Sequence, residues 1–385
     1  MKNVWETKNL GAVCTYLNRG ISPRYVDEGG VRVLNQRCVR GHTVSYEQSR
    51  RHDTNGKAVS SERLVQLGDV LVNSTGTGTL GRVAQVREEP DEPTTVDSHV
   101  TIVRPKQEMF FRDFFGYMLI AIENAIKDAG EGCGGQTELA RSVLAEQFTV
   151  SYPTSVSEQQ RIVGILDEAF EGIARAKANA AKSLDNARAL FESHLNSVFA
   201  QRGEGWVVTT VDQISTNLDS KRVPITKSDR TNGEYPYYGA SGIVDYVGDY
   251  IFEGDTLLVS EDGANLLARS TPIAFSVSGK YWVNNHAHIL KFEDMETQRF
   301  VEFYLESIKL DKYVTGAAQP KLNQKALNSI PIPIPKSVKA QAKIVESIES
   351  LHGETQRLAN LYGRKLAALE ALKKSLLHQA FAGNL

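Results

Sequence analysis

Between Ile162 and Ala180 the apolar residues recur at steps of three and four: Ile162, Leu166, Ala169, Ile173, Ala176, Ala180. The same rhythm returns in Ile344, Ile348, Leu351, Leu358, Tyr362, Leu369, Leu372 and Leu376. Such steps put one apolar stripe on one face of a helix, which is how a coiled-coil seam is written. No proline interrupts either stretch. They are also copies of one another. SVSEQQRIV (Ser155–Val163) lies over SVKAQAKIV (Ser337–Val345), a displacement of 182 residues that holds without a gap to Ala189–Ala200 over Ala371–Ala382. A helix of about 45 residues reaches about 65–70 Å at 1.5 Å per residue. The matched lengths predict that the two stripes bury each other. The alternative is that each helix docks on its own domain. Gly164, Gly172, Gly353 and Gly363 lie inside the helices, where each costs about 1 kcal/mol against alanine. They suggest close approach or local bending.

The segments ahead of the helices alternate differently. From Met1 to Tyr152 short strand-like runs (VRVLN, DVLVNS, RVAQV, HVTIVRP) are punctuated by Gly-Gly, Thr-Gly and Pro. A helix is predicted over about Phe110–Lys127, then a glycine-rich loop at Gly130–Gly135. Pro153 closes the unit, and Ser155 or Ser157 offers an N-cap. From Gly203 the order repeats in diverged form. GDTLLVS (Gly254–Ser260) matches GDVLVNS (Gly68–Ser74), and VNNHAHIL (Val283–Leu290) matches VDSHVTIV (Val96–Val103). A helix near Thr297–Lys309 follows, then a polar loop, GAAQPKLNQKAL (Gly316–Leu327). Pro331, Pro333 and Pro335 then make an extended spacer. The expected class is α+β: two mixed domains (1–152 and 204–333) separated by long helices (153–203 and 334–385) paired as an antiparallel coiled coil. Such a pairing would hold the two domains at opposite ends of a rod.

Composition narrows the function. At 385 residues, with 41% hydrophobic and 23% charged residues, the chain has room for two soluble domains. No apolar run is long enough for a bilayer, and the amino terminus lacks a secretory apolar region. Three cysteines at unrelated spacings argue against a disulfide framework, so a reducing cytoplasm is expected. A net charge of −2 speaks against a polyanion partner until its distribution is considered. Seven arginines stand against three acids between Arg19 and Arg51, and Lys221, Arg222, Lys227 and Arg230 form a second cluster.

Catalytic motifs are largely missing. GTGTLG (Gly76–Gly81) fits G-x-G-x-x-G but runs into an alternating, proline-ended segment, so a hairpin loop is expected rather than a dinucleotide site. There is no Walker A motif. With no adjacent prolines in the chain, there is also none of the Pro-Pro-aromatic loops of amino-methyltransferases. His286 and His288 share a strand face but lack a third ligand nearby in sequence. What remains are polar, glycine-lined loops (Ser74–Thr79, Ser260–Asn265, Cys133–Glu138, Ala318–Asn323). They carry the groups that read base edges and approach phosphate.

GDVLVNSTGTGTLGRVAQV (Gly68–Val86), YPYYGASGIVDYV (Tyr235–Val247), GDTLLVSEDGAN (Gly254–Asn265) and GAAQPKLNQKAL resemble the specificity subunit of type I restriction–modification systems. So do PTSVSEQQRIVGILD (Pro153–Asp167) and KLAALEALKKSLLHQAFAGNL (Lys365–Leu385), which are similar to its helical spacers. The resemblance implies two target-recognition domains, each reading half of a split double-stranded DNA target, with the paired helices setting the gap. It implies that this chain is not itself an enzyme. Catalysis would come from two copies of a methyltransferase subunit that binds S-adenosylmethionine, and from restriction subunits using ATP and Mg. No cofactor, metal or membrane is expected for this chain. The residues expected at DNA are Arg37, Arg51, Ser74, Thr75, Thr77, Thr79, Gln136 and Thr137 in the first domain. In the second they are Lys221, Arg222, Tyr238, Glu261, Asp262, Asn265, Gln319 and Lys321. The helix interface is expected at Ile162, Leu166, Ala169, Ile173, Ile344, Ile348, Leu351, Leu358 and Leu369. A coiled-coil scaffold whose domains bind protein or glycan is the competing reading.

Overall fold

The computed structural model describes residues 4–130, 138–316 and 318–385, in two compact units. One is Met1–Asn179 with Lys365–Leu385, the other Ala180–Arg364. In the first, strands Cys14–Arg19, Val100–Pro105, Val70–Asn73 and Val83–Gln85 make an antiparallel sheet in that order. A second sheet orders Thr94–Val96, Val31–Leu34, Arg50–His52 and Tyr25–Val26, with the first two parallel. Strand Val70–Asn73 is buried at every residue. Alternation sends Val70 and Val72 into one core and Leu71 into another. The second unit repeats this: Leu257 and Val259 enter one core, Leu258 the other.

A two-stranded clasp precedes each long helix. Trp5–Asn9 pairs with Thr149–Pro153, and Trp206–Thr210 with Pro331–Pro335. The proline spacer is therefore a strand. Its prolines alternate, so the N–H groups they lack fall on one edge, as a terminal strand tolerates. A buried glutamine then fastens each helix to its clasp. The Gln159 amide donates to the Pro153 carbonyl at 2.9 Å, and its oxygen accepts from the Phe111 N–H at 2.7 Å. Gln341, 182 residues on, donates to the Pro335 carbonyl at 2.8 Å and accepts from the Thr297 hydroxyl at 2.7 Å.

The helices span Val156–Ala200 and Val338–Phe381. In the first unit Ile162, Val163 and Leu166 share a core with Leu377 and Ala380. In the second, Leu195 and Phe199 share one with Val345 and Ile348. The start of each helix therefore packs on the end of the other, and the pair is antiparallel. Ile162, Leu166, Ile173 and Ile348 are buried, while Ala169, Ile344, Leu351, Leu358 and Leu369 are half-buried. Two expectations change. Leu372 lies off the seam, 47% exposed, whereas Thr355 is buried. The seven-residue step through 348, 355, 362, 369 and 376 keeps one face inward and turns 372 out. The four helix glycines do not mark close approach either, since an added Cβ would meet nothing within 4 Å. The helix predicted over Phe110–Lys127 is two helices, Arg112–Ala121 and Glu123–Ala129, meeting at Ile122. GTGTLG closes the antiparallel hairpin between Val70–Asn73 and Val83–Gln85.

Candidate nucleic-acid interface

Both units end their central strand pair in the same turn. Asp97 accepts the His99 amide through its side chain at 2.9 Å, and Asn284 accepts that of His286 at 2.8 Å. This side-chain-to-backbone bond is what Asp and Asn supply in turns. It presents His99 Nδ1 to the Thr75 hydroxyl at 2.8 Å, and His286 Nδ1 to the Asp262 carboxylate at 2.9 Å. The Ser74 amide reaches the His99 carbonyl at 2.8 Å, and the Glu261 amide the His286 carbonyl at 2.9 Å. Leu139 and Leu322 then donate to the carbonyls of Ser74 and Glu261, both at 2.8 Å. Ser74 is thus the counterpart of Glu261, Thr75 of Asp262, Thr101 of His288, and Glu138 of Lys321. Matching by sequence set Ser74 over Ser260. The ladders, with Asn73 opposite Val100 and Ser260 opposite Ala287, move the match by one residue.

In the first unit the buried pair is neutral. The Ser74 and Thr101 hydroxyls lie 2.5 Å apart, so Ser74 is inside the sheet end and not at an exposed tip. Beside the turn opens a polar groove of about 460 Å³ lined by Asn35, Gln36, Arg37, Gln48, Arg50 and His99 among others. Gln36 donates to the Thr75 hydroxyl at 2.6 Å, and Thr79 closes its own turn on the Gly76 carbonyl at 3.2 Å. Thr77 is exposed. Gln136 and Thr137 lie outside the described residues. Arg37 is exposed and its guanidinium has no carboxylate partner among the described residues. Arg51 is different: it gives Glu92 bonds of 2.8 and 3.1 Å. Strand alternation puts Arg50 on the opposite face, where its guanidinium stacks 3.4 Å from the Tyr25 ring centre. Arg50, not Arg51, shares the groove with Arg37.

In the second unit the same position is ionised. Arg222 donates to Glu261 at 2.6 Å, and Lys321 stands 3.2 Å from its other oxygen. His288 is buried, with Nδ1 2.5 Å from Asp219 and Nε2 2.7 Å from the Leu322 carbonyl. A carbonyl only accepts, so Nε2 carries a proton, and the Nδ1–Asp219 contact needs another. Burial pushes the Asp219 carboxyl up, but the hydrogen bond and charge of His288, the Ile289 amide and Arg222 together hold it below the ordinary value. Burial likewise opposes Glu261, and Arg222, His288 and Lys321 outweigh it. Asp219, Glu261 and His288 lie close enough to ligate a cation. Both His288 nitrogens are already spent, however, and Arg222 supplies the positive charge beside Glu261.

The other expected residues of this unit divide by exposure. Lys221 and Gln319 are exposed, and Lys321 is half free. The Tyr238 ring packs on Phe275 and Tyr281. Asn265 closes its own loop, donating to Thr271 at 2.9 Å and accepting from Ser270 at 2.9 Å. Sequence reasoning passed over Asn35, Gln36, Gln48, Arg50 and His99 in the groove, and Asp219 and His288 in the network. Only the repeated histidine turn was a usable signal for them.

Comparison with known proteins bears on what these surfaces do. Residues 3–182 and 203–362 each match the type I restriction modification DNA specificity domain. A Haemophilus influenzae protein named as a type I restriction enzyme specificity subunit is 36% identical over 141 residues. That match spans 37% of this chain and 36% of the relative. A solved chain from work on complex assembly and conformational transition of the type I R-M system superposes with a TM-score of 0.80 at 16% identity. The match covers 99% of this chain and 98% of that one. The HsdS subunit from Thermoanaerobacter tengcongensis gives 0.61 at 17% identity, covering 99% and 97%.

Proposed function

The chain belongs to the family of type I restriction modification DNA specificity domains, and on that footing we propose that it is the recognition subunit of a restriction–modification complex. The domain at 1–152 reads one half of a bipartite duplex target, the domain at 204–333 reads the other, and the long helices set the unread gap. The observation that supports this most is one frame built twice with different side chains at matched positions: Thr75 and Glu138 in one copy, Asp262 and Lys321 in the other. Two readers of one design need the same backbone and different base-edge chemistry. Arg37 and Arg50 supply phosphate contacts in the first domain, and Lys221, Gln319 and Lys321 face DNA in the second. This chain holds no catalyst of its own. Methyl transfer falls to two methyltransferase subunits carrying S-adenosylmethionine, and cleavage, where it occurs, to restriction subunits using ATP and Mg. Among the described residues no helix is long and apolar enough to cross a membrane.

The test is salt-dependent binding to random duplex, followed by footprinting of the assembled complex and methylation-aware sequencing of the host genome. Two protected half-sites at a fixed spacing, with modified adenine in them, are expected. Binding indifferent to salt, or protection of one continuous site, would overturn the reading.

A further inference from the structure

Identity between the two long helices is unevenly distributed. Five of nine positions agree in Ser155–Val163, only two of twenty-five in Gly164–Arg188, and six of twelve in Ala189–Ala200. At the heads packing explains most of it: Gln159 and Gln341 fasten the clasps, and Ile162, Val163 and Val345 are buried with Ile344 packed beside them. In the middle the seam is filled by unlike residues, such as Ile173 against Thr355 at matched positions, so packing alone does not demand identity. At the tails Leu195 and Leu377 are buried, but Ala189, Leu190 and Ser193 are exposed, as are Ala371, Leu372 and Ser375. Leu190 is 53% exposed and Leu372 47%. Each trio sits at i, i+1 and i+4 of its helix, a leucine knob flanked by two small residues on neighbouring turns. The charges around the knobs are reversed: Arg188 and Glu192 in one copy, Glu370 and Lys374 in the other.

An exposed leucine costs nothing to change, so its retention in both copies amid scrambled charges points to something outside the chain that reads shape and not sign. We propose that Ala189–Leu190–Ser193 and Ala371–Leu372–Ser375 are two equivalent docking patches, each taking the same apolar socket on one copy of the methyltransferase subunit. The inference rests on the partner reading above and goes beyond it by fixing where the subunit anchors and why two copies bind. A duplicated patch needs a duplicated partner, and a partner holding its leucine by a socket is indifferent to the reversed charges.

The test co-expresses the full chain with the methyltransferase subunit of its own system and counts bound copies by native mass spectrometry. Leu190→Gln and Leu372→Gln are each expected to release one copy, weakening that site at least about tenfold, the scale of a buried apolar anchor. The double variant should release both, with the wild-type thermal melt and random-duplex binding unchanged. Two copies retained by the double variant would overturn the patches while leaving the partner reading intact. A loss of helix content in the Gln variants would overturn them too, because the leucines would then serve the fold. If the wild-type chain binds no methyltransferase subunit, the partner reading itself fails and the patches fall with it.

Discussion

The two histidine turns share a backbone and differ in what they bury. The first holds a pair of hydroxyls, Ser74 and Thr101. The second holds two carboxylates, an imidazole and a guanidinium, in Asp219, Glu261, His288 and Arg222. A frame can exchange neutral for ionised contents provided that every buried polar group keeps a partner. The two solutions fail differently, however. Two hydroxyls that lose each other forfeit one ordinary hydrogen bond. An ion cluster that loses one member leaves the others charged and uncompensated in low dielectric.

The largest expected effect follows from that asymmetry. Asp219→Ala leaves His288 and Arg222 without their carboxylate and should cost the second unit about 3–5 kcal/mol. Thr101→Val in the first unit should cost about 1 kcal/mol. Urea denaturation followed by hydrogen exchange assigns each loss to its unit. Equal losses would mean that the cluster is not functioning as a set of mutually compensating charges.

Acid sharpens the same contrast. Asp219 and Glu261 are held below the ordinary carboxylate value, against burial, by their cationic neighbours. Groups with a depressed folded-state value contribute stability above the unfolded-state value of about 4, and lose it as pH falls through the lower folded value. In the first unit burial pushes Asp97 up, and pushes Asp69 up in spite of two bonds from Arg104. Raised carboxyls work the other way: their ionised form costs stability, and that cost is relieved as pH falls. Between pH 6 and 3 exchange should therefore rise sooner around the cluster, at Asp219, Glu261 and Ile289, than around Asp69 and Asp97. The reverse order would contradict the assigned directions.

Period and repetition made the scaffold readable in advance. The three- and four-residue steps announced the helices, and the 182-residue displacement announced both the duplication and the pairing. The sites were less readable, because they depend on which way a strand faces and on single-residue register. Arg50 and Arg51 are indistinguishable as letters, yet alternation gives one to the groove and the other to Glu92. The match of Ser74 to Ser260 was natural by eye, but the ladder made Glu261 its equivalent and put Ser74 indoors. Tyr238 and Asn265 looked like tips, and tertiary contacts from Phe275, Tyr281 and Thr271 assign them to packing and loop closure.

A DNA measurement tests the two domains against each other. Arg37→Ala and Arg50→Ala remove groove cations with no carboxylate partner among the described residues. Each should weaken binding evenly across sequences and lower the salt slope by about one. Lys321 is shared with Glu261 at 3.2 Å, so part of its charge is already neutralised within the domain. Lys321→Ala should lower the slope by less and alter preference at the second half-site only. Titration of the assembled complex at several salt concentrations, with each half-site scrambled in turn, separates these outcomes. A full unit of slope lost for Lys321→Ala would place its ammonium on phosphate and not beside Glu261.

The smallest effect concerns the element both units share. Gly164 and Gly172 in one long helix and Gly353 and Gly363 in the other have ordinary helical geometry, and a Cβ at each would meet nothing within 4 Å. Alanine there restricts the unfolded chain without colliding in the folded one, so each Gly→Ala change should stabilise by about 0.4–1 kcal/mol. The comparison lies in where the gain is felt. Gly164→Ala and Gly172→Ala fall in the first unit, and Gly353→Ala and Gly363→Ala in the second. If exchange slows only in the unit carrying the substitution, each unit opens independently despite the shared helices. If it slows equally in both, the paired helices couple them into one folding unit, and the glycines have been softening a joint that serves both readers.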